Sequence, residues 1–191
     1  QAEKIENRLK SDIIKAGGVA YNFDRKARIF TVDEDLKATN PNYISGEYKW
    51  RNKCQRCVSA YEMRRRGYNV TAKPLPGKLA DDYLAQWFEH AWENANTIFC
   101  NKGSGKKEIE GYMKQWGNRS RAVIRVKWRG GGGHVFVAEN IEGKIRYYDP
   151  QSGDNDCSGY FRDAREGKST ITRVDNLAPS EHIKDCCENV R

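Results

Sequence analysis

Two cysteines stand close together in Lys53-Cys54-Gln55-Arg56-Cys57-Val58-Ser59-Ala60-Tyr61, and far downstream come Gly133-His134-Val135-Phe136 and Asp149-Pro150-Gln151. In that order the segments supply a thiol, an imidazole and a carboxylate: a nucleophile, its base and a group to orient the base, as thiol acyl-transfer chemistry requires. A helix is predicted to open at Cys54. A thiolate is stabilised at a helix N-terminus by the dipole and the unpaired amides, an effect that fades within the first turn. Cys54 is nearer that start, whereas Cys57, followed by Val58, Ala60 and Tyr61, has the look of a small buried hydrophobe. A helix beginning at Gln55 or Arg56 reverses the preference, so Cys57 stands as the alternative nucleophile.

The base and its partner depend on a hairpin. Ala122 to Trp128 alternates as a strand, and the glycine run Gly130 to Gly133 leads into a strand from His134 to Asn140. That strand turns at Glu142-Gly143 and returns as Lys144 to Asp149. A two-residue turn sets Phe136 opposite Asp149 and His134 opposite Gln151. Diagonal neighbours on one face lie about 7–8 Å apart at the backbone, within reach of an imidazole and a carboxylate. A three-residue turn moves Asp149 to the other face. The glycines let backbone approach closely and leave an open groove beside His134. The competing readings are a structural histidine beside a glycine loop, a turn-initiating Asp149 before Pro150, and a hairpin-end polar Gln151. His90 and His182 lie in predicted helices without comparable surroundings.

The remaining elements follow from periodicity and punctuation. Residues 1 to about 16 read as an amphipathic helix ended by Gly17-Gly18, and Arg28 to Val32 as a strand candidate. The segment 1–40 is expected to be an N-terminal arm or the tail of an upstream carrier, with the catalytic domain over 41–191. The first helix of that domain, 54 to 66, stops at Gly67, and Tyr68 to Ala72 is a strand candidate. A second helix is expected from Asp81 to about Asn96 with an aromatic core face, a third from Ile109 to Trp116, a strand from Thr170 to Val174, and a closing helix from Ser180 to Cys187. The basic run Arg64-Arg65-Arg66 reads as a solvated helix face complementing the C-terminal end of the dipole.

A chain of 191 residues can bury a real core without staples. With 31% charged residues, no apolar run approaches the ~18 residues of a membrane-spanning helix. The opening at Gln1, without a signal-peptide pattern, reads as a piece excised from something longer. The net charge of +8 favours acidic partners, but the signatures of a nucleic-acid module are missing, which disfavours nucleic acid. The six cysteines, Cys54, Cys57, Cys100, Cys157, Cys186 and Cys187, read as reduced thiols. A zinc site from Cys54, Cys57 and the adjacent Cys186-Cys187 pair lacks the ribbon spacing, so neither metal nor cofactor is expected.

The run from Cys54 to Val70 resembles the opening motif of the papain-fold toxin family, glutamine deamidases found as C-terminal domains of bacterial polymorphic toxins and prophage head-morphogenesis proteins. Gly131-Gly132-Gly133-His134-Val135-Phe136, Tyr148-Asp149-Pro150-Gln151-Ser152-Gly153 and Arg173-Val174-Asp175-Asn176-Leu177 match the same pattern. The resemblance implies an α+β, papain-like cysteine-enzyme fold, with a catalytic helix packed on an antiparallel sheet. It implies Cys54 as nucleophile, His134 as base and Asp149 as orienter, with Gln151, Gln55 and Gly133 supporting the site or contacting substrate. The family usually has Asn before this cysteine; here Lys53 stands there, with Asn52 one step earlier. The implied activity is deamidation of a target protein's glutamine through a thioester, in a target cell's cytosol after secretion or injection, with a cognate immunity protein as second partner and no membrane partner. A cysteine peptidase or transglutaminase uses the same triad, and a non-catalytic basic binding domain is the third alternative.

Overall fold

The computed structural model describes residues 22–75 and 87–191. The expected helix over residues 1 to 16, and the first part of the one expected from Asp81, lie outside the described residues. The elements in chain order are α1 (Val32–Thr39), α2 (Tyr48–Arg51), α3 (Cys54–Arg65), β1 (Val70–Ala72), β2 (Thr97–Cys100), α4 (Lys106–Trp116), β3 (Arg121–Lys127), β4 (Gly133–Ile141), β5 (Lys144–Tyr148), β6 (Ser169–Arg173), α5 (Ile183–Cys186) and β7 (Cys187–Asn189).

A five-stranded antiparallel sheet in the order β2-β6-β3-β4-β5 forms the centre, and β1 pairs with β7 in a separate two-stranded ribbon. Strand β4 shows how the sheet is covered on both sides. Val135 and Val137 face a core shared with Val58, Tyr61 and Met63 of α3, while Phe136 and Ala138 face a second core with Ile109 and Met113 of α4. Each such fully buried large side chain contributes about 1.5–3 kcal/mol relative to exposure. The sheet therefore lies between α3 and α4.

The β4–β5 turn is the even-numbered one the site needs. Glu142 and Gly143 both have positive φ, 52° and 89°, and Ile141 pairs with Lys144 and Val137 with Tyr148. This is the turn whose twist matches flanking strands, and it keeps Asp149 on the face of His134.

Helix α3 has little free surface. It ends at Gly67, whose φ of 97° suits glycine, and every residue from Cys57 to Arg64 is buried. The run Arg64-Arg65-Arg66 is not the solvated face expected from sequence. The Arg64 side chain is wholly buried and its Nε donates to Asp35 Oδ1 at 2.9 Å; Arg65 donates to Asp35 Oδ2 at 3.1 Å. Arg66 Nε donates to Glu62 Oε1 at 2.9 Å, and Arg121 of β3 reaches both Glu62 oxygens at 2.7 and 2.9 Å. The physical reason is that α1 and the sheet close over this half of α3 and bring carboxylates with them. Burial opposes ionisation of Glu62, but Arg121 and Arg66 together hold its carboxyl below the usual range.

Of the segment 1–40 expected as an arm, the described residues 22–40 pack on the same core: Leu36 is buried with the α3 residues, and Phe23 packs against them. Arg28 to Val32 is not a strand. Thr31 instead caps α1, its hydroxyl accepting from Glu34 N while Glu34 accepts from Thr31 N, a capping box that satisfies two orphan amides. Phe88–Ala91 forms a 3-10 turn, and Thr97 already begins β2, so the helix expected through Asn96 is not continued there. Phe88, Ala91 and Trp92 are nonetheless buried, as an aromatic core stripe demands. The closing helix is shortened to α5 because Cys187 turns into the ribbon with β1.

Candidate active site

Cys54 is the first residue of α3 and is half-buried. Its predecessor, Lys53, has φ −124° and ψ 35°, outside the helical basin, and provides no side-chain cap. Gln151 acts in its place: the side-chain Oε1 accepts from the Lys53 amide at 2.7 Å. The Gln151 amide donates to Asp149 Oδ1 at 2.9 Å, and its carbonyl accepts from Asn40 Nδ2 at 2.7 Å. Asn40 Nδ2 also bonds the Trp50 carbonyl at 2.8 Å. One residue thus ties the start of α3 to the end of the β4–β5 hairpin. Among the described residues the next amides, those of Cys54 and Gln55, have no hydrogen-bond acceptor, as the first turn of a helix allows.

Lys53 is itself buried, its Nζ donating to the Ala72 carbonyl at 2.6 Å and lying over the Trp50 ring at 4.4 Å. Burial pulls its ammonium down to about 8. The long side chain thus anchors the helix start against β1, a job a shorter Asn at this position has no length to do.

His134 is the second residue of β4, paired with Val126. The loop before it is closed by a bond from Trp128 N to the Gly132 carbonyl at 2.9 Å, with Gly131 and Gly132 at φ 103° and 73°. Gly133 is required for a different reason: a Cβ there would lie 2.8 Å from the Val126 carbonyl oxygen. Nothing larger fits without pushing β4 off β3.

Asp149 follows β5 and is buried at 2% exposure. Its Oδ2 lies 2.9 Å from His134 Nε2, so the register argument and the diagonal reach meet in the structure. That contact occupies Nε2 and leaves Nδ1 for a second partner, and Cys54 lies close enough to favour the imidazolium. Tyr160, in a 3-10 turn at Ser158–Asp163, donates its hydroxyl to the same Oδ2 at 2.6 Å. The imidazole is walled by aromatic rings: Trp128 stacks on it at 6.2 Å and 19°, and Tyr160 meets it edge-on at 5.6 Å and 78°.

The electrostatics follow from these contacts. Burial disfavours the imidazolium, but the hydrogen bond and charge of Asp149, with the neighbouring Cys54 thiol, outweigh it and raise His134 to about 10. For Asp149 burial again opposes the charge, and the bonds and charge of His134, with Tyr160 and the Gln151 amide, hold the carboxyl below its usual range. Cys57 is fully buried, and desolvation pushes its thiol far up.

The structure therefore brings Cys54, His134, Asp149 and Gln151 together. Gln55 points elsewhere, its Oε1 accepting from Phe88 N at 2.9 Å and tying α3 to the neighbouring turn. His90 and His182 meet each other edge-on at 6.4 Å. Among the described residues no group of three or more His, Cys, Asp or Glu side chains is placed to hold a metal ion, and no helix is long and apolar enough to cross a membrane. Sequence reasoning missed Tyr160, Trp128 and Asn40. Only the aromatic density around His134 gave any signal for the first two, and Asn40 is recruited across the chain by the fold alone.

A helix-borne thiol facing an imidazole and carboxylate on an antiparallel sheet defines an α+β protein of papain-like fold. The family model for papain fold toxin 1, glutamine deamidase, matches residues 52–154, over half of the chain, and the chain belongs to that family. It is thus a papain-fold toxin of the glutamine-deamidase type, an enzyme class acting on glutamine amides. None of the curated proteins matches it.

Proposed function

We propose that the chain deamidates a glutamine of a target protein by a cysteine-dependent mechanism, with Cys54 as nucleophile, His134 as acid and base, and Asp149 as orienter. The observation that carries this is the His134 ring, bonded to Asp149 Oδ2 at 2.9 Å and favoured in its charged form by Asp149 and by the Cys54 thiol that opens α3. Cys54 rather than Cys57 is the nucleophile because the Cys57 thiol is sealed in the core and burial keeps it protonated.

The steps follow from amide chemistry. Cys54 passes its proton to His134 Nδ1 and the sulfur attacks the glutamine carboxamide carbon, forming a C–S bond. The tetrahedral oxyanion is received by the acceptor-free amides of Cys54 and Gln55. The imidazolium returns its proton to the amide nitrogen as the C–N bond breaks, and ammonia leaves. Water, deprotonated by His134, then attacks the thioester, and glutamate and the free thiol result. Asp149 fixes the tautomer and stabilises the imidazolium. Gln151 holds the helix start and the carboxylate in one frame, while Gly133 keeps the approach beside His134 low.

We further propose that the chain acts as an effector domain delivered, by secretion or injection, into a target cell's cytosol. A cognate immunity protein in the producing cell then blocks the groove, and the +8 charge favours acidic partners for both encounters. The test is peptide mass spectrometry of lysate proteins exposed to the wild-type chain and to Cys54→Ala. A gain of about one dalton at glutamine, lost in Cys54→Ala, is the expected result, because water is the thioester's acceptor. New termini make the chain a peptidase, amine adducts a transglutaminase, and silence from the wild-type chain a binding domain; each overturns the proposal.

A further inference from the structure

Outside the residues assigned above, the group bonded most closely to the catalytic machinery is a phenol. Tyr160 Oη donates to Asp149 Oδ2 at 2.6 Å, and His134 Nε2 bonds the same oxygen at 2.9 Å. The other oxygen, Oδ1, accepts from the Gln151 amide. Burial and Asp149 both push the phenol's own ionisation far up, so it stays a donor. Its ring stands edge-on to His134, Trp128 and Phe136. Tyr160 lies beyond the span 52–154 matched by the family model.

We infer that Tyr160 is a positioning residue: its hydroxyl fixes Asp149 Oδ2 against His134 and shares that oxygen's lone pairs, weakening the carboxylate's hold on the imidazolium. The inference rests on the proposed triad. Two donors on one carboxylate oxygen divide its charge between them. A base gripped too strongly by its carboxylate gives up a proton reluctantly, and departure of ammonia needs that proton. The second donor corrects this while pinning the carboxylate's rotation, which a single backbone bond at Oδ1 does not do. Tyr160 touches neither substrate nor reacting atoms. It acts through Asp149.

The test uses Tyr160→Phe in the full chain, which keeps the ring contacts and removes only the hydroxyl. The rate of Cys54 alkylation by iodoacetamide is measured against pH and needs no substrate. The expected result is a basic limb, governed by His134, raised by several tenths of a pH unit to about one. Deamidation kcat should fall about tenfold with KM unchanged. Site-specific 3,5-difluorotyrosine at 160, a stronger donor, should move the limb down, and it serves also if Tyr160→Phe folds poorly. Adding Tyr160→Phe to Asp149→Asn should change little further, because the hydroxyl acts only through that carboxylate. A wild-type limb in Tyr160→Phe, a downward shift, or full additivity in the double variant overturns the inference. A wild-type chain that alkylates as expected but never deamidates sinks the deamidase reading and leaves Tyr160's role intact.

Discussion

Replacing Asp149 by Asn is almost isosteric, yet the structure makes it a severe change. Three donors converge on the carboxylate: the Gln151 amide on Oδ1, and Tyr160 and His134 on Oδ2. An asparagine offers one oxygen and one NH2. Whichever way it turns, the NH2 faces either the Gln151 N–H or the Tyr160–His134 pair, and a buried donor loses its acceptor at a cost of about 1–3 kcal/mol. The imidazolium also loses its counter-charge. An opposite charge at this range is worth roughly 1–3 pH units, so His134, raised to about 10 in the wild type, should titrate well below that value in the variant. In alkylation of Cys54 between roughly pH 5 and 11, the basic limb should move down, and deamidation should fall ~10²–10⁴-fold. Thermal stability against pH reads the same linkage independently. His134's folded value is raised, so its contribution is complete below 6.5 and is lost as pH rises through about 10. Asp149's is lowered, so its contribution is present above the unfolded value and is lost as pH falls through the folded one. Asp149→Asn should flatten both ends. A variant whose basic limb stays at the wild-type pH would show that Asp149 is not the counter-ion of His134, and the catalytic reading of this carboxylate would fall with it.

Glu62→Gln leaves the guanidiniums of Arg66 and Arg121 buried against a neutral amide; the loss should be ~3–5 kcal/mol, about 6–20 °C in Tm by calorimetry, and an unchanged Tm would mean water already serves these cations. Gly133→Ala drives a methyl into the Val126 carbonyl 2.8 Å away, so β4 must shift at the residue before His134. Deamidation should drop ~10²-fold while Tm falls only a few degrees, and equal activity would show that this end of β4 is free to yield. Cys57→Ala should leave the fast alkylation of the chain intact, with a modest loss of stability from the small cavity; disappearance of the fast-reacting thiol would make Cys57 the nucleophile.

The parts of the fold legible in the sequence are those where local signals and burial agree. Glu142-Gly143 fixes a two-residue turn, and from it follow the register of β4 and β5 and the diagonal reach of His134 to Asp149. Gly67 ends α3 for the same local reason. The arginine run went the other way because long-range neighbours decide it, and the Arg28–Val32 segment because a competing local signal does. Charge in sequence reads as exposure, and only the fold reveals that Asp35 of α1 meets Arg64 and Arg65, and that Arg121 of β3 joins Arg66 on Glu62. The strand candidate at Arg28–Val32 yields to a capping box at Thr31, a signal present in the chain but outweighed by its alternating residues.

The site shows the same division on a finer scale. The thiol, imidazole and carboxylate announce themselves by type and order, but what holds them in register does not. Gln151 illustrates why. Hairpin geometry places it opposite His134, which suggests a partner for the base, yet its side chain turns to the Lys53 amide instead. The Lys53 amide at the helix start needs an acceptor, and the lysine side chain, a donor only, cannot be one. Because Gln151 also donates its own amide to Asp149, one residue sets the helix that Cys54 opens and the carboxylate that bonds His134 relative to each other. A shift of either strand or helix is therefore transmitted to both halves of the site, and the spacing between sulfur and imidazole depends on a glutamine that touches neither.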